Sequence, residues 1–293
     1  MSVHSTPQPG NATPVKKVTS VAVRELKGQR KVSVITAYDY PSAMMVDAAG
    51  VDCVLVGDSL GMVMLGRSDT LSVTLDEMIH HTRCVVAGVS RALVITDMPF
   101  MTYENGVDSA LENASDLVRR SGVRAVKIEG GVNIAPQVKA LVDAGIPVMG
   151  HIGLTPQRAA VLGGFKVQGK TAAAAEAMLE DALAIQEAGC FSMVLEAVPA
   201  PVAELITDKV SVPTIGIGAG PGCDGQVLVL HDMLGMTTGH VPRFVKQFAN
   251  LESIGRAAVA KYVREVEAGT FPGPEHCFSM PEAELRAMGK LEK

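Results

Sequence analysis

Five short apolar stretches of this 293-residue chain are each interrupted, late in the stretch, by a charged or titratable side chain. Asp58 falls near the end of VDCVLVGDS (51–59) and Asp97 in ALVITDMPF (92–100). Lys127 and Glu129 lie in AVKIEGG (125–131), His151 in PVMGHIGL (147–154) and Glu196 in CFSMVLEAV (190–198). If Asp58, Asp97 and Glu129 converge, they repel one another unless positive charge stands among them. Lys127 supplies one charge and a divalent cation would supply two more. Oxygen ligands without a Cys or His cluster favour Mg²⁺ over Zn²⁺, and Mg²⁺ keeps coordination positions open for a substrate. Each residue also has a plainer reading. Asp58 can cap a following helix, and Asp97, before Met98-Pro99, can order a turn. Lys127 and Glu129 can be a buried ion pair, and His151 a hydrogen-bonded core histidine. Glu196 between Leu195 and Ala197 is harder to explain so, because an unpaired buried carboxylate is costly. Recurrence at five strand ends argues for one shared site.

The elements that would position these groups repeat along the chain. Three further β-rich runs, VSVITAYD (32–39), VPTIGIGAG (212–220) and QVLVLHDML (226–234), bring the total to eight. Nearly continuous apolar runs suit parallel strands buried on both faces. Side chains two apart share a face, so Lys127 and Glu129 point one way, as do Leu93, Ile95 and Asp97, and Ser192, Val194 and Glu196. The same rule groups Val54, Val56 and Asp58. Helical periodicity fills 74–89, 107–122 and 171–189, and Gly50, Gly122, Gly145 and Gly189 each stand between a helix and the next strand, where a left-handed residue ends the helix. This rhythm predicts an α/β fold, a single (β/α)8 TIM-type barrel whose chemistry sits at the C-terminal ends of its strands. A doubly wound open sheet is the alternative. Residues 1–17, polar and Pro-rich at the start, read as a disordered tail. Residues 18–293 read as one catalytic barrel domain with a C-terminal helical extension, from the periodicity of 252–269 and an extra helix beyond Pro272.

Two glycine-rich stretches resemble ligand loops. GIGAG (216–220) follows a strand but runs on into PGCDG with no helix opening, so it lacks the dinucleotide-binding context. It reads instead as a backbone-lined loop at the barrel mouth. GGFKVQGK (163–170) is a Gly-bounded loop placed to cover a substrate or simply to connect.

A net charge of −5 with no long basic run excludes nucleic acid as the main partner. No stretch of 18 apolar residues predicts a membrane span, and no apolar secretory segment opens the chain. Five scattered cysteines without a CxxC pair read as reduced thiols, and the expected location is cytoplasmic. Hydrophobic residues make up 47% and charged residues 19%. That surplus over ordinary domains predicts helix surface buried against further copies, a homo-oligomer.

From about Val18 to Pro272 the chain resembles the ketopantoate hydroxymethyltransferase family. The runs that carry the resemblance are ITAYDYPSA (35–43), VGDSLGMVMLG (56–66), TLDEMIHHTR (74–83), DMPF (97–100), VKIEGG (126–131), MGHIGLTPQ (149–157), GGFKVQGK (163–170), LEAVPA (195–200), IGIGAG (215–220) and DGQVLVLHDMLG (224–235). The resemblance implies a (β/α)8 barrel in a large, decamer-like homo-oligomer. It implies Mg²⁺ at Asp58 and Asp97 with Glu129 as the third metal-associated carboxylate, and a 2-oxo acid held by Asp58, Ser59, Asp97 and Lys127. Glu196 falls on the proton acceptor's position, and His151 on that of a pocket histidine that orients or polarises substrate. The implied reaction takes a one-carbon unit from 5,10-methylenetetrahydrofolate to 3-methyl-2-oxobutanoate, in pantothenate and coenzyme A synthesis. Ser72 and MTYE (101–104) depart from the family pattern without touching a matched site position.

The alternatives are a Mg²⁺-dependent lyase or mutase of the phosphoenolpyruvate mutase and isocitrate lyase type, or a non-catalytic barrel scaffold. The first would carry a reactive cysteine in a loop after the fourth or fifth strand, and none stands there. The second would have lost a site residue, whereas each matched position is filled. The polar tail offers no periodic apolar face to dock, so deletion of residues 1–14 is predicted to leave activity and thermal midpoint nearly unchanged. A large loss of either would show that the tail packs.

Overall fold

The computed structural model describes residues 16–239 and 241–290, so all of the expected tail except Lys16 and Lys17 lies outside the described residues. Eight parallel strands close into a barrel in chain order. After α1 (Ser20–Glu25) come β1 (Val32–Thr36), α2 (Tyr40–Ala48), β2 (Cys53–Val56), α3 (Leu60–Val63), α4 (Leu75–Gly88), β3 (Leu93–Asp97), α5 (Val107–Ser121) and β4 (Ala125–Glu129). There follow α6 (Ala135–Asp143), β5 (Val148–Gly153), α7 (Ala159–Leu162), α8 (Ala172–Glu187), β6 (Ser192–Glu196), α9 (Ala200–Lys209), β7 (Thr214–Ile217), β8 (Gly225–Leu228) and α10 (Leu230–Met233). The extension consists of α11 (Leu251–Glu267) and α12 (Glu282–Ala287).

Away from their C-terminal ends the strands are mostly apolar because both faces are largely buried. Val54, Val56, Val126, Ile128 and Leu195 join the core between sheet and helices. Val34, Cys53, Leu55, Leu93, Ile95, Ala125, Met149 and Val194 fill the barrel interior. Val23 of α1 packs onto that interior cluster and is fully buried, so α1 stoppers the N-terminal end of the barrel. Gly50, Gly122, Gly145 and Gly189 all have positive φ, as helix-terminating residues should.

Two expectations need correction. Val54, Val56 and Asp58 do not share a face, since both valines pack outward while Asp58 lines the mouth. The strand ends at Val56, and the turn at Gly57 redirects the chain. A Cβ on Gly57 would lie 2.9 Å from Ser59 Oγ and 3.5 Å from Asp97 Oδ2, so only glycine lets the turn approach this closely. The run 226–234 is not one strand, because it breaks after Leu228 and Leu230–Met233 is helical. No helix separates β7 from β8. Residues 218–224 instead return to the start of β8 through bends and turns, with Gly218 and Gly220 at positive φ, as a short strap against α9. A Cβ on Gly220 would meet that of Ala200 at 2.5 Å, which gives the glycine-rich run a packing role in addition to its place at the mouth.

At the N-terminal end, buried Asp52 ties β1 to β2. Arg30 donates to it from both terminal nitrogens, at 2.6 and 2.9 Å, and Ser33 donates from its backbone N–H at 2.9 Å and its hydroxyl at 3.0 Å. Burial alone would raise the carboxyl's pKa, but the Arg30 and Ser33 bonds outweigh it and hold it at about 2. An unfolded aspartate titrates near 3.9, so this stabilisation is complete above about pH 4 and disappears as pH falls through about 2. Asp52→Asn is expected to cost about 1–2 kcal/mol at neutral pH, discounted because Arg30 is half exposed. Denaturant melts from pH 7 down to pH 2 should show the gap to wild type narrowing, and equal stability at pH 7 would refute this account.

Candidate active site

The C-terminal ends of the strands surround a cavity of about 1420 Å³. Every residue singled out from the sequence, Asp58, Ser59, Asp97, Lys127, Glu129, His151 and Glu196, lines it. Backbone register explains how they meet. Asp97 pairs with Lys127 across β3 and β4, Glu129 with His151 across β4 and β5, and Gly153 with Glu196 across β5 and β6. Parallel pairing thus sets acid beside base along one arc of the rim.

The contacts are short and mostly dry. Lys127 Nζ lies 3.0 Å from Asp97 Oδ1, 3.9 Å from Glu129 Oε1 and 3.2 Å from His151 Nδ1. His151 Nδ1 is 3.3 Å from Glu129 Oε1, and its Nε2 is 3.3 Å from Glu196 Oε2. The backbone N–H of Asp58 donates to Asp97 Oδ2 at 3.0 Å, which locks the ends of β2 and β3 together. Asp58, Asp97, Lys127, Glu129 and His151 are all at least 95% buried, whereas Glu196 retains 18% side-chain exposure. The plainer readings give way here. There is no side-chain cap at the start of α3, so Asp58 is not a helix cap. Glu196 is not isolated among apolar neighbours either, since it faces His151.

Burial and charge divide the carboxylates into two kinds. Burial would raise Glu129, but His151, Lys127 and the backbone N–H of Gln157 hold it below the usual carboxylate range. Asp58 is pushed well above that range by burial and by the charges of Asp97 and Glu129. Asp97 is raised by burial, with Glu129 adding to it against the pull of Lys127. Burial and Lys127 would lower His151, but the two carboxylates flanking it, Glu129 and Glu196, raise it to about 9. The imidazole therefore carries its proton at neutral pH. Lys127 rises too, since its carboxylate neighbours outweigh burial. Glu129 is compensated; Asp58 and Asp97 are short of positive charge.

This arrangement fits a hard divalent cation at Asp58 and Asp97. Asp97 Oδ1 has only the Lys127 ammonium as a partner, and Asp58 has no cationic side chain in contact with it. Among the described residues, however, no three His, Cys, Asp or Glu side chains converge into a ready-made metal cage. Glu129, the expected third metal-associated carboxylate, lies beside His151 at 3.3 Å and Lys127 at 3.9 Å. Mg²⁺ binds through one or two carboxylates and keeps several waters, which suits this floor.

Three participants were missed from the sequence. The Gln157 side-chain amide donates to Asp58 Oδ2 at 2.8 Å and to the Met98 carbonyl at 3.0 Å, and its backbone N–H donates to Glu129 Oε2 at 3.1 Å. The Tyr103 hydroxyl donates to Gln157 Oε1 at 2.8 Å. Tyr38 OH lies 2.8 Å from Ser59 Oγ. The only signal was a polar residue, in LTPQ, soon after a strand that ends in the site. At the end of β6, Ala197 adopts a left-handed φ of 48° directly after Glu196. That costs roughly 1–2 kcal/mol, and strain of this kind concentrates at functional sites.

Phe165 and Lys166, from the β5–β6 connection, and His231, Arg243 and Phe244, which follow β8, also line the cavity. No cysteine is among the lining residues, and the five thiols of the chain are all free. No helix of the described residues is long and apolar enough to cross a membrane.

Residues 17–274 match the family described as ketopantoate hydroxymethyltransferase. The 3-methyl-2-oxobutanoate hydroxymethyltransferase of Nitratidesulfovibrio vulgaris is 60% identical over 299 aligned residues, covering 100% of this chain and 97% of that protein. That of Clostridium beijerinckii is 53% identical over 273 residues, covering 93% and 99%. Among solved structures, a phosphonopyruvate hydrolase in complex with oxalate and Mg²⁺ superposes with a TM-score of 0.57 at 12% identity, over 92% of this chain and 94% of that one. A 2,3-dimethylmalate lyase gives 0.54 at 17%, over 92% and 94%. At such low identity these two structures share the fold and nothing more. The full-length identities and the family match together place the chain: it belongs to the ketopantoate hydroxymethyltransferase family.

Proposed function

We propose that this chain transfers a hydroxymethyl group from 5,10-methylenetetrahydrofolate to 3-methyl-2-oxobutanoate, giving ketopantoate, the first step of pantothenate biosynthesis. The observation that carries the reading is a division of labour across one chamber. Under-compensated Asp58 and Asp97 end β2 and β3, while Glu196 ends β6, and β2 and β6 face each other in an eight-stranded barrel. Enolisation needs this separation, with positive charge on the oxygens and a base on the carbon.

Asp58 and Asp97 hold the cation, with Glu129 beside them as the third carboxylate. Bound there, Mg²⁺ supplies Lewis-acid polarisation of the keto oxygen. Lys127 and Ser59 receive the acid's oxygens, and Tyr38 fixes the Ser59 hydroxyl. His151, charged and held between Glu129 and Glu196, orients the substrate's polar end. Glu196 takes the proton from C3, which then bonds to the methylene carbon of the folate; water completes the hydroxymethyl group and releases tetrahydrofolate. The cavity of about 1420 Å³ exceeds the roughly 300–1,000 Å³ that holds one drug-sized ligand, so both substrates have room.

The lyase or mutase reading rests on fold likeness alone and gains nothing from a cavity lined without cysteine. A homo-oligomer is supported by α11, which has no buried residue and exposes Ile254, Val259, Tyr262, Val263 and Val266.

Chelation by EDTA is expected to abolish ketopantoate formation and added Mg²⁺ to restore it. Asp58→Ala and Asp97→Ala should each weaken Mg²⁺-dependent substrate binding, and full turnover in metal-free buffer would refute the assignment. Glu196→Gln keeps shape and loses basicity. It should leave binding of 3-methyl-2-oxobutanoate largely intact and slow C3 proton exchange, followed by NMR in deuterated water without folate, by roughly 10²–10⁴-fold. Exchange at the wild-type rate would assign the base elsewhere.

A further inference from the structure

We infer that Gln157 is a positioning residue that decides which oxygens of the carboxylate floor face the cation, and that Tyr103 sets its direction. The inference rests on the proposed cation site at Asp58 and Asp97 and adds residues that site does not itself require.

The hydrogen-bond geometry favours one arrangement of protons. The Met98 carbonyl can only accept, so the Gln157 atom 3.0 Å away must be the amide nitrogen. That nitrogen's second proton goes to Asp58 Oδ2 at 2.8 Å. The other end, Oε1, then faces Tyr103 OH at 2.8 Å and takes its proton in preference to the more distant Glu129 carbonyl at 3.3 Å. The Tyr103 oxygen in turn accepts from the Glu129 backbone N–H at 3.1 Å. The chain of donation therefore runs from Glu129 N–H to Tyr103, to Gln157, to Asp58. Meanwhile the Gln157 backbone N–H takes Glu129 Oε2 at 3.1 Å. One buried residue thus occupies one oxygen of each of two carboxylates from different strands. Asp58 Oδ1 is left without a hydrogen-bond donor among the described residues, and Glu129 Oε1 keeps only the His151 ring at 3.3 Å and Lys127 Nζ at 3.9 Å.

Chemistry favours a carboxamide in this position. A lysine or arginine would fix the same oxygens but would neutralise the charge that draws the cation. An amide donates two hydrogen bonds and leaves the carboxylate charge in place. Outer partners of metal ligands typically contribute 10- to 100-fold in metal affinity. The pair also has a division of roles: Gln157 touches the carboxylates, whereas the Tyr103 hydroxyl reaches Asp58 only through Gln157.

The test is Mn²⁺ titration of the full-length protein without substrate, read by electron paramagnetic resonance, for wild type, Gln157→Leu, Tyr103→Phe and the double variant. Gln157→Leu is expected to weaken Mn²⁺ binding by about 10- to 100-fold, and Tyr103→Phe by about 2- to 10-fold. The double variant should bind no more weakly than Gln157→Leu, because the two act in series. Thermal midpoints measured alongside separate positioning from general unfolding. Wild-type affinity in a folded Gln157→Leu protein would overturn the inference, as would full additivity in the double variant. If Gln157→Leu does not fold, Tyr103→Phe decides alone: weakened binding supports the inference and wild-type affinity overturns it. Failure of wild type itself to bind Mn²⁺ would overturn the cation site, and this inference with it.

Discussion

Negative charge buried without enough counter-charge is the constraint around which the mouth of this barrel is organised. Asp58, Asp97 and Glu129 stand with one lysine among them, all buried. Two like charges about 4 Å apart near a protein surface repel by roughly 4 kcal/mol. The cluster answers this by distributing its positive charge unevenly. Protonated His151 goes to Glu129, and Lys127 lies between Asp97 at 3.0 Å and Glu129 at 3.9 Å, so that Asp58 has no cation beside it and Asp97 only a shared one. Strand register enforces that inequality, since Glu129 and His151 are directly paired neighbours. A cation bound there would therefore balance the charge of the folded chain as well as take part in its chemistry.

The opposite end of the barrel treats the same functional group in the opposite way. Asp52 is fully engaged by Arg30 and Ser33. Asp224 takes Lys27 at 2.7 Å and the Thr214 backbone N–H at 3.0 Å. Asp47, on α2, accepts backbone N–H groups from Ser90, Arg91 and Ala92 and fastens that helix to the start of β3. Each of these carboxylates is saturated with donors, and each joins elements far apart in the chain. Those at the mouth are left unsaturated and join little beyond the site itself. Stability and reactivity are thus separated along the barrel axis, as the architecture allows.

Much of this was legible in the sequence, for identifiable reasons. Asp97, Lys127, Glu129, His151 and Glu196 each interrupt an apolar run with the right two-residue phase, so strand periodicity alone aims them inward. Asp58 was found by its position in such a run, but the phase argument behind it was wrong, because the turn at Gly57 breaks the alternation. Gln157, Tyr38 and Tyr103 were not legible. Their partners lie 99, 21 and 54 residues away, and nothing in the local pattern distinguishes them from ordinary polar loop or core residues. The run 226–234 hid a helix for the converse reason, since it is apolar across the break at Val229. The strap from β7 to β8 has no helical period to detect, and its glycines mark where the backbone lies against α9.

Closure of the N-terminal end by α1 makes access to the site one-sided. With Val23 seated on the interior core, the chamber has no rear exit through the barrel. The charged floor lies at its deep end, and Phe165, Lys166, Arg243 and Phe244 stand around the opening. Whatever reacts at this floor must therefore enter and leave on one side of the barrel, the side where the connecting loops are longest and most exposed, while the sealed side is free to serve stability alone.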